Sequence, residues 1–405
     1  MSYDFDAPVH RRGSGSDKWD SVAQDVIPLW VADMDFAAPP ELCAVLSARI
    51  SHPFYGYNRR RPEYFEAILS WYREQYGVAL EIQDILPCPG TVLSLGMAVR
   101  AFTRPGDGVL IMTPVYAPFY RLILENHRKV VEAPMVQDPE GRFIFDRAVL
   151  EESLDKAAAL GVTAPLVIFC SPHNPGGRVW TKPEIEAFLN FVRDRNMIAV
   201  ADEIHGDFVY AGEGPSSPEP GSGGFVSTAL CTAYADRLLT VSGANKSFNL
   251  GGLHVSHMIV RDQKLKSAIS PELQAGSHRE PDVFAELAVE TCYTRCKPWL
   301  RELKPYLKQN LEEAAAFLNG IPGVKAWVPG GTYLLWAGIQ DLITRGGCKT
   351  DLELVSRLEQ EAKVKITHGS LYGKAGAGYA RINAASPRKL LLEGLERIRD
   401  WAKRH

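Results

Sequence analysis

The chain has no Cys-x-x-Cys pair and no Cys/His cluster of zinc-binding spacing, and its seven cysteines are scattered over 405 residues. An odd number without pairing pattern argues against a disulfide framework and a structural zinc site, and fits reduced thiols. No metal is expected. No apolar run approaches the ~18 residues that suggest a membrane span. The opening "MSYDFDAPVHRRGSGSDKWD" carries acids and lacks the apolar core of a secretory leader. A cytoplasmic protein without membrane contact is the expectation. The net charge of -3 offers no field that would gather nucleic acid. Internal repeats and heptads are absent as well.

What is present is an ordinary globular composition, 46% hydrophobic and 23% charged. The chain exceeds the ~250–300 residues at which a single core stops growing, so two lobes are expected. Short apolar runs alternate with helical patterns through the middle: "GVLIMTP", "PLVIFCSP", "MIAVADE" and "RLLTVSG". Such runs predict an α/β fold, a mainly parallel sheet with helices on both faces. From about Pro281 the pattern turns helical, then gives short strands around "GGTYLLWAGI" and "YARINAAS", which predicts a smaller α+β domain. The expected division is an N-terminal segment 1–48 packing with the small domain, a large domain 49–284 and a small domain 285–405. The Gly/Pro/Ser-rich stretch 211–225 reads as an exposed loop.

Ligands of open α/β sheets bind beyond the carboxyl ends of the strands. Tyr116, Asn174, Asp202 and Lys246 follow those four runs. Singly, each has a plain structural reading: a core aromatic, an Asn-Pro-Gly turn, a helix cap, a surface lysine. Lys246 is the hardest to dismiss, because it stands among small residues just after the apolar run Leu238–Val241. A buried lysine costs several kcal/mol unless something takes up its charge. A fifth piece is "CPGTVLSLGMAVRAF", where a helix beginning near Thr91 presents a positive end suited to phosphate. One ligand needs all five: pyridoxal 5'-phosphate, with an aldehyde for the lysine, a pyridine nitrogen for the carboxylate and a ring for the aromatic plate.

On these residues the chain resembles the fold-type I pyridoxal-phosphate enzymes, and within them the cystathionine β-lyase-like carbon–sulfur lyases of the MalY/PatB type. The likeness runs nearly end to end, through "RRGSGSDKWD", "PLWVADMDFAAPP", "YGYNRR", "TPVYAPFY", "SPHNPGGRVWT", "ADEIHGD", "NKSFNLGGL" and "YARINAASPR". The resemblance implies that Lys246 binds the aldehyde, Asp202 pairs with the pyridine nitrogen, and Asn174 and His205 approach the ring oxygen. It implies that Tyr116 stacks on the ring, while Thr91 and Val92 hold the phosphate with their backbone and Ser242 joins them. Asn245 and Gly243 stand where many members have hydroxyl residues. It further implies a homodimer with shared sites, in which Tyr57 reaches the phosphate of the neighbouring subunit. Arg381 is expected to grip the α-carboxylate of an amino-acid substrate.

The activity implied is β-elimination from cystathionine or another L-cysteine S-conjugate, giving a thiol, pyruvate and ammonia. An aminotransferase shares the cofactor and the first half of the reaction, and a non-catalytic cofactor-binding regulator is the rival from another class. His254 and His257, in "HVSH", read as core or edge histidines of an apolar strand rather than metal ligands. Cys292 and Cys296 read as structural.

Overall fold

A computed structural model describes residues 3–210, 224–275 and 282–405. The predicted loop at 211–225 lies outside the described residues except for its last two positions.

The large sheet has seven strands: β1 (Ile85–Cys88), β2 (Gly108–Thr113), β3 (Lys129–Pro134), β4 (Leu166–Cys170), β5 (Ile198–Asp202), β6 (Leu238–Ser242) and β7 (Ser256–Ile259). Their order is β1-β7-β6-β5-β4-β2-β3. The run from β6 to β3 is parallel, and only β7 lies antiparallel to its neighbours. The central strands read as unbroken apolar runs because both faces are covered. Leu110, Met112, Val167, Phe169, Ala199 and Ala201 pack on one face. Val109, Ile111, Leu166, Ile168 and Val200 pack on the other. That alternation is the period-two geometry of a strand inside a three-layer sandwich.

The second layer system is built on helices α2 (Val283–Arg295), α3 (Lys297–Asn319) and α4 (Arg388–Arg404), after α1 (Thr91–Phe102) has covered the large sheet. On α3, Trp299, Leu303, Leu307, Leu311, Ala314 and Leu318 are buried at helical spacing, while Arg301, Gln309 and Glu312 are exposed. Four short strands, β8 (Lys325–Ala326), β9 (Leu334–Gly338), β10 (Thr367–His368) and β11 (Tyr379–Asn383), form an antiparallel sheet in the order β8-β9-β11-β10. Ile27–Pro28 pairs in parallel with Val364–Lys365, and Ile27 and Leu29 share a core with α4 residues Leu391, Leu395 and Ile398. The chain then runs from Leu29 to Phe36 across the carboxyl ends of the large sheet, between the two layer systems.

Candidate active site

A cavity of about 500 Å³ opens at the carboxyl ends of β4, β5 and β6. It is of the size that holds a small cofactor. Lys246, Asp202, Asn174, His205, Tyr116, Thr91 and Val92 all line it. Four of these come from the ends of consecutive parallel strands, where the chain must leave the sheet and can present a side chain.

Lys246 sits in the turn after β6. Its Nζ donates to the Ala32 carbonyl at 2.7 Å. Burial pulls this amine down to about 8, opposed by Asp33 and Asp202 and assisted by the nearby guanidinium of Arg381. Asp202 ends β5 and is almost wholly buried. Its Oδ1 accepts from the Ile204 N–H at 3.1 Å. Burial pushes its carboxyl up to about 6, against the pull of that N–H and of Lys246. His205 is held well below the ordinary imidazole range by burial and by the charges of Lys246 and Arg381, so its ring is neutral. Tyr116 presents part of its ring to the cavity and rests edge-on against Phe119, 5.7 Å between centroids.

The α1 end of the cavity follows from Gly90, whose φ of 110° and ψ of 150° suit only glycine. Its N–H donates to Ser256 Oγ at 3.2 Å and its carbonyl accepts from Ser94 Oγ at 2.8 Å, which fixes the turn. No side chain caps this helix, so its first-turn N–H groups lie open at the cavity. Arg381, on β11, reaches the cavity edge from the smaller sheet. Its Nη1 donates to Asn174 Oδ1 at 3.0 Å and its Nη2 to the Trp30 carbonyl at 2.9 Å, with the guanidinium over the Tyr372 ring.

Two predicted positions are not brought into this cavity. Ser242 is the last residue of β6; its hydroxyl donates to the Glu203 carbonyl at 3.2 Å and does not line the cavity. Tyr57 stands in solvent at 94% exposure, so within one chain it touches none of these groups. The two histidines of "HVSH" part company. His257 is buried on β7 with Nε2 3.2 Å from Tyr72 Oη, as a core histidine should be. His254 instead adopts a left-handed backbone (φ 49°) ahead of the strand and lines the cavity beside Gly90. The preceding Gly251–Gly252 pair was the signal for a turn there. Sequence reasoning also missed Ala32, whose contribution is a backbone carbonyl.

The residues present fit pyridoxal phosphate. Thr91 Oγ1, His205 Nδ1, Asn245 Oδ1 and Arg381 Nε are buried polar atoms without a protein partner, gathered at or beside this one cavity. Unsatisfied buried groups are rare unless a ligand or water completes them. Thr91 and the open α1 end suit a phosphate, Asp202 a ring nitrogen, and Lys246 an aldehyde.

The family model for aminotransferase class I and II matches residues 24–398. The chain belongs to the aminotransferase class I and II family. Within this family it is 34% identical over 98% of both chains to cystathionine beta-lyase PatB of Bacillus subtilis, and 32% identical over 97% of both to protein MalY of Escherichia coli. The crystal structure of cystalysin from Treponema denticola, which contains pyridoxal 5'-phosphate, superposes with a TM-score of 0.90 at 30% identity, covering 100% of both chains.

Proposed function

We propose that the protein is a pyridoxal-phosphate-dependent carbon–sulfur β-lyase that cleaves cystathionine or a related L-cysteine S-conjugate to a thiol, pyruvate and ammonia. The observation that carries the reading is that one cavity joins an amine lowered to about 8, a buried carboxylate and an open helix end. Relatives named as cystathionine β-lyases, similar over nearly the whole chain, favour carbon–sulfur cleavage over amino transfer.

When bound, the cofactor supplies an aldehyde for amines and a ring that draws electrons from a substrate Cα. The first-turn N–H groups at Thr91 and Val92 bind its phosphate, and Tyr116 supports its ring. Asp202 holds a proton on the pyridine nitrogen, while Asn174 and neutral His205 meet the ring oxygen. Arg381 binds the substrate α-carboxylate through its guanidinium, whose Nε has no protein partner, and thereby orients the Cα–H bond. Lys246 Nζ would hold the aldehyde and, as a free neutral amine, would take the Cα proton. Its low pKa suits it to that task near neutrality.

The shared site of a homodimer completes the reading, with Tyr57 of each subunit contacting the phosphate in the other. The exposed Phe54, Tyr55 and Tyr57 support it, since adjacent aromatics in solvent mark an interaction surface. Among the described residues no helix is long and apolar enough to cross a membrane, and a cytoplasmic location is the compartment proposed.

The test is L-cystathionine supplied alone. A lyase releases pyruvate and thiol in equal amounts with no added 2-oxo acid; amino transfer only when a 2-oxo acid is added would replace this reading with that of an aminotransferase.

A further inference from the structure

The acceptor for Lys246 Nζ is the Ala32 carbonyl, and that carbonyl belongs to an irregular segment held at unusually many points. Trp30 O accepts from Arg381 Nη2, and Ala32 O accepts also from Tyr333 Oη at 3.1 Å. Val31 O and Asp33 O both accept from Asn383 Nδ2, at 2.7 and 2.8 Å. Met34 exchanges a pair of hydrogen bonds with the side chain of Asn249, its N–H donating to Oδ1 at 3.0 Å and its carbonyl accepting from Nδ2 at 2.9 Å. Asn249 lies three residues after Lys246, in a left-handed conformation (φ 57°). The segment is therefore tied on one side to the lysine turn and on the other to the strand that carries Arg381.

Its anchor is Asp35. The Asp35 and Lys18 side chains are fully buried and meet at 2.7 Å. Trp19 Nε1 donates to Asp35 Oδ1 at 2.8 Å, Ser386 Oγ to Oδ2 at 2.8 Å and Arg11 Nη1 to Oδ1 at 3.1 Å. The Asp35 N–H donates to the Ala385 carbonyl at 2.9 Å. Lys18 also donates to the Asp33 carbonyl at 2.9 Å. A buried ion pair is weak evidence of stabilisation, because desolvation offsets its attraction; its better-attested use is to fix one geometry. Here the geometry fixed is that of the two carbonyls that receive Lys246 and Arg381.

We propose that Asp35, locked by Lys18, is a positioning residue: through the strap 30–35 it sets where Lys246 and Arg381 stand relative to each other. The Ala32 carbonyl is the resting place of the Lys246 amine whenever that amine is free, and it keeps the nitrogen inside the cavity. Asn249 transmits the same registration to the lysine turn. The proposal rests on the reading of Lys246 as the cofactor-binding amine.

Two variants test it in the cofactor-loaded enzyme. Lys18→Met combined with Asp35→Asn removes both charges together, and Arg11 keeps its ion pair with Asp33 at 2.7 Å. Asn249→Gly keeps the left-handed backbone and deletes only the tie to Met34; it decides the matter if the double variant does not fold. Per loaded site, kcat/KM for L-cystathionine is expected to fall at least about tenfold, since small displacements of reacting groups have effects of that order or larger. KM is expected to rise through Arg381, and the visible circular dichroism of the bound cofactor to change through Lys246. A loaded, folded variant with unchanged kcat/KM and an unchanged dichroic band overturns the proposal, as does a loss of activity that merely tracks the loaded fraction. Borohydride reduction of the unaltered enzyme separates the two levels: cofactor fixed on any residue but Lys246 removes the underlying reading, whatever the variants do.

Discussion

The guanidinium of Arg381 donates to Asn174 Oδ1 across 3.0 Å, joining the smaller antiparallel sheet to the turn after β4 of the large one. The second arm of the same fork is taken by the Trp30 carbonyl at 2.9 Å. A planar fork can serve these two acceptors in fixed directions and still offer a buried, unpartnered Nε; an ammonium cannot. Arg381→Lys is therefore expected to raise KM for amino-acid substrates by about 10-fold to 100-fold, the equivalent of one charge-assisted hydrogen bond at ~1.5–3 kcal/mol. Cofactor affinity, measured by absorbance titration, should change far less. Equal losses in both would show that Arg381 serves the cofactor rather than the substrate.

The amine of Lys246 gives a pH dependence whose direction can be worked out. Lowered to about 8 from an ordinary 10.5, it is mainly protonated below pH 8 and neutral above. Only the neutral amine attacks an aldehyde, so the rate at which the empty protein takes up pyridoxal phosphate should climb with pH, pass its midpoint near 8 and level off about one unit above. Stability of the empty protein follows from the same values. Between 8 and 10.5 the unfolded lysine keeps a proton that the folded one has released, so the unfolded state binds more protons and stability rises with pH through that window. Denaturant midpoints measured across it give the check. Lys246→Ala should abolish the visible band of the lysine-bound cofactor and turnover together.

Asp202 is expected to separate activity from stability. Its carboxyl is raised to about 6 from 3.8, chiefly by burial, so the folded state holds an ionised group at a cost above pH 6. At ~1.4 kcal/mol per tenfold change in the proton equilibrium, that cost is up to ~3 kcal/mol. Asp202→Asn keeps an oxygen for the Ile204 N–H and removes the charge. The empty variant should therefore unfold at higher denaturant concentration near pH 7.5. Its turnover should fall by about 100-fold or more, because an amide cannot hold the pyridine nitrogen protonated. An active variant would remove Asp202 from that role.

The strand ends were legible because the chemistry there is written in side chains. Four apolar runs are buried on both faces, each ends where the chain leaves the sheet, and within about four residues of each end a functional side chain lines the cavity: Tyr116, Asn174, Asp202 and Lys246. Positions that escaped are those where backbone decides. Ala32 contributes a carbonyl, which any residue has, and it meets Lys246 from 214 positions away. His254 sits in an alternating "HVSH" that imitates a strand, yet the glycines ahead of it delay β7 until Ser256. Ser242 lies in a fully buried strand, where its hydroxyl donates to the carbonyl of Glu203 on the neighbouring chain segment. The motifs "RRGSGSDKWD" and "WVADMDF" carry the resemblance, and their physical reason lies in the pairing of Lys18 with Asp35 beneath the strap, a contact 17 residues apart that no local pattern announces.

Gly177 gives a prediction about how the Asn174 turn is held. Its φ of +65° is a conformation that costs an L side chain about 1–2 kcal/mol. A Cβ there would lie 2.2 Å from Pro329 Cβ and 2.9 Å from the Gly331 carbonyl, both in the segment leading to β9. The close approach is used: Gly331 N–H donates to the Gly177 carbonyl at 2.9 Å, and Gly177 N–H to the His173 carbonyl at 2.7 Å. Overpacking of this kind adds roughly 1–3 kcal/mol to the backbone strain. Gly177→Ala should thus destabilise the protein by ~2–5 kcal/mol in chemical denaturation. Because Asn174 is three residues away and holds Arg381, the variant should also raise KM for L-cystathionine more than it lowers kcat. Gly161 is the control. It too has a positive φ, of +72°, but nothing lies within 4 Å of where its Cβ would be, so Gly161→Ala should show the backbone strain alone and leave KM untouched.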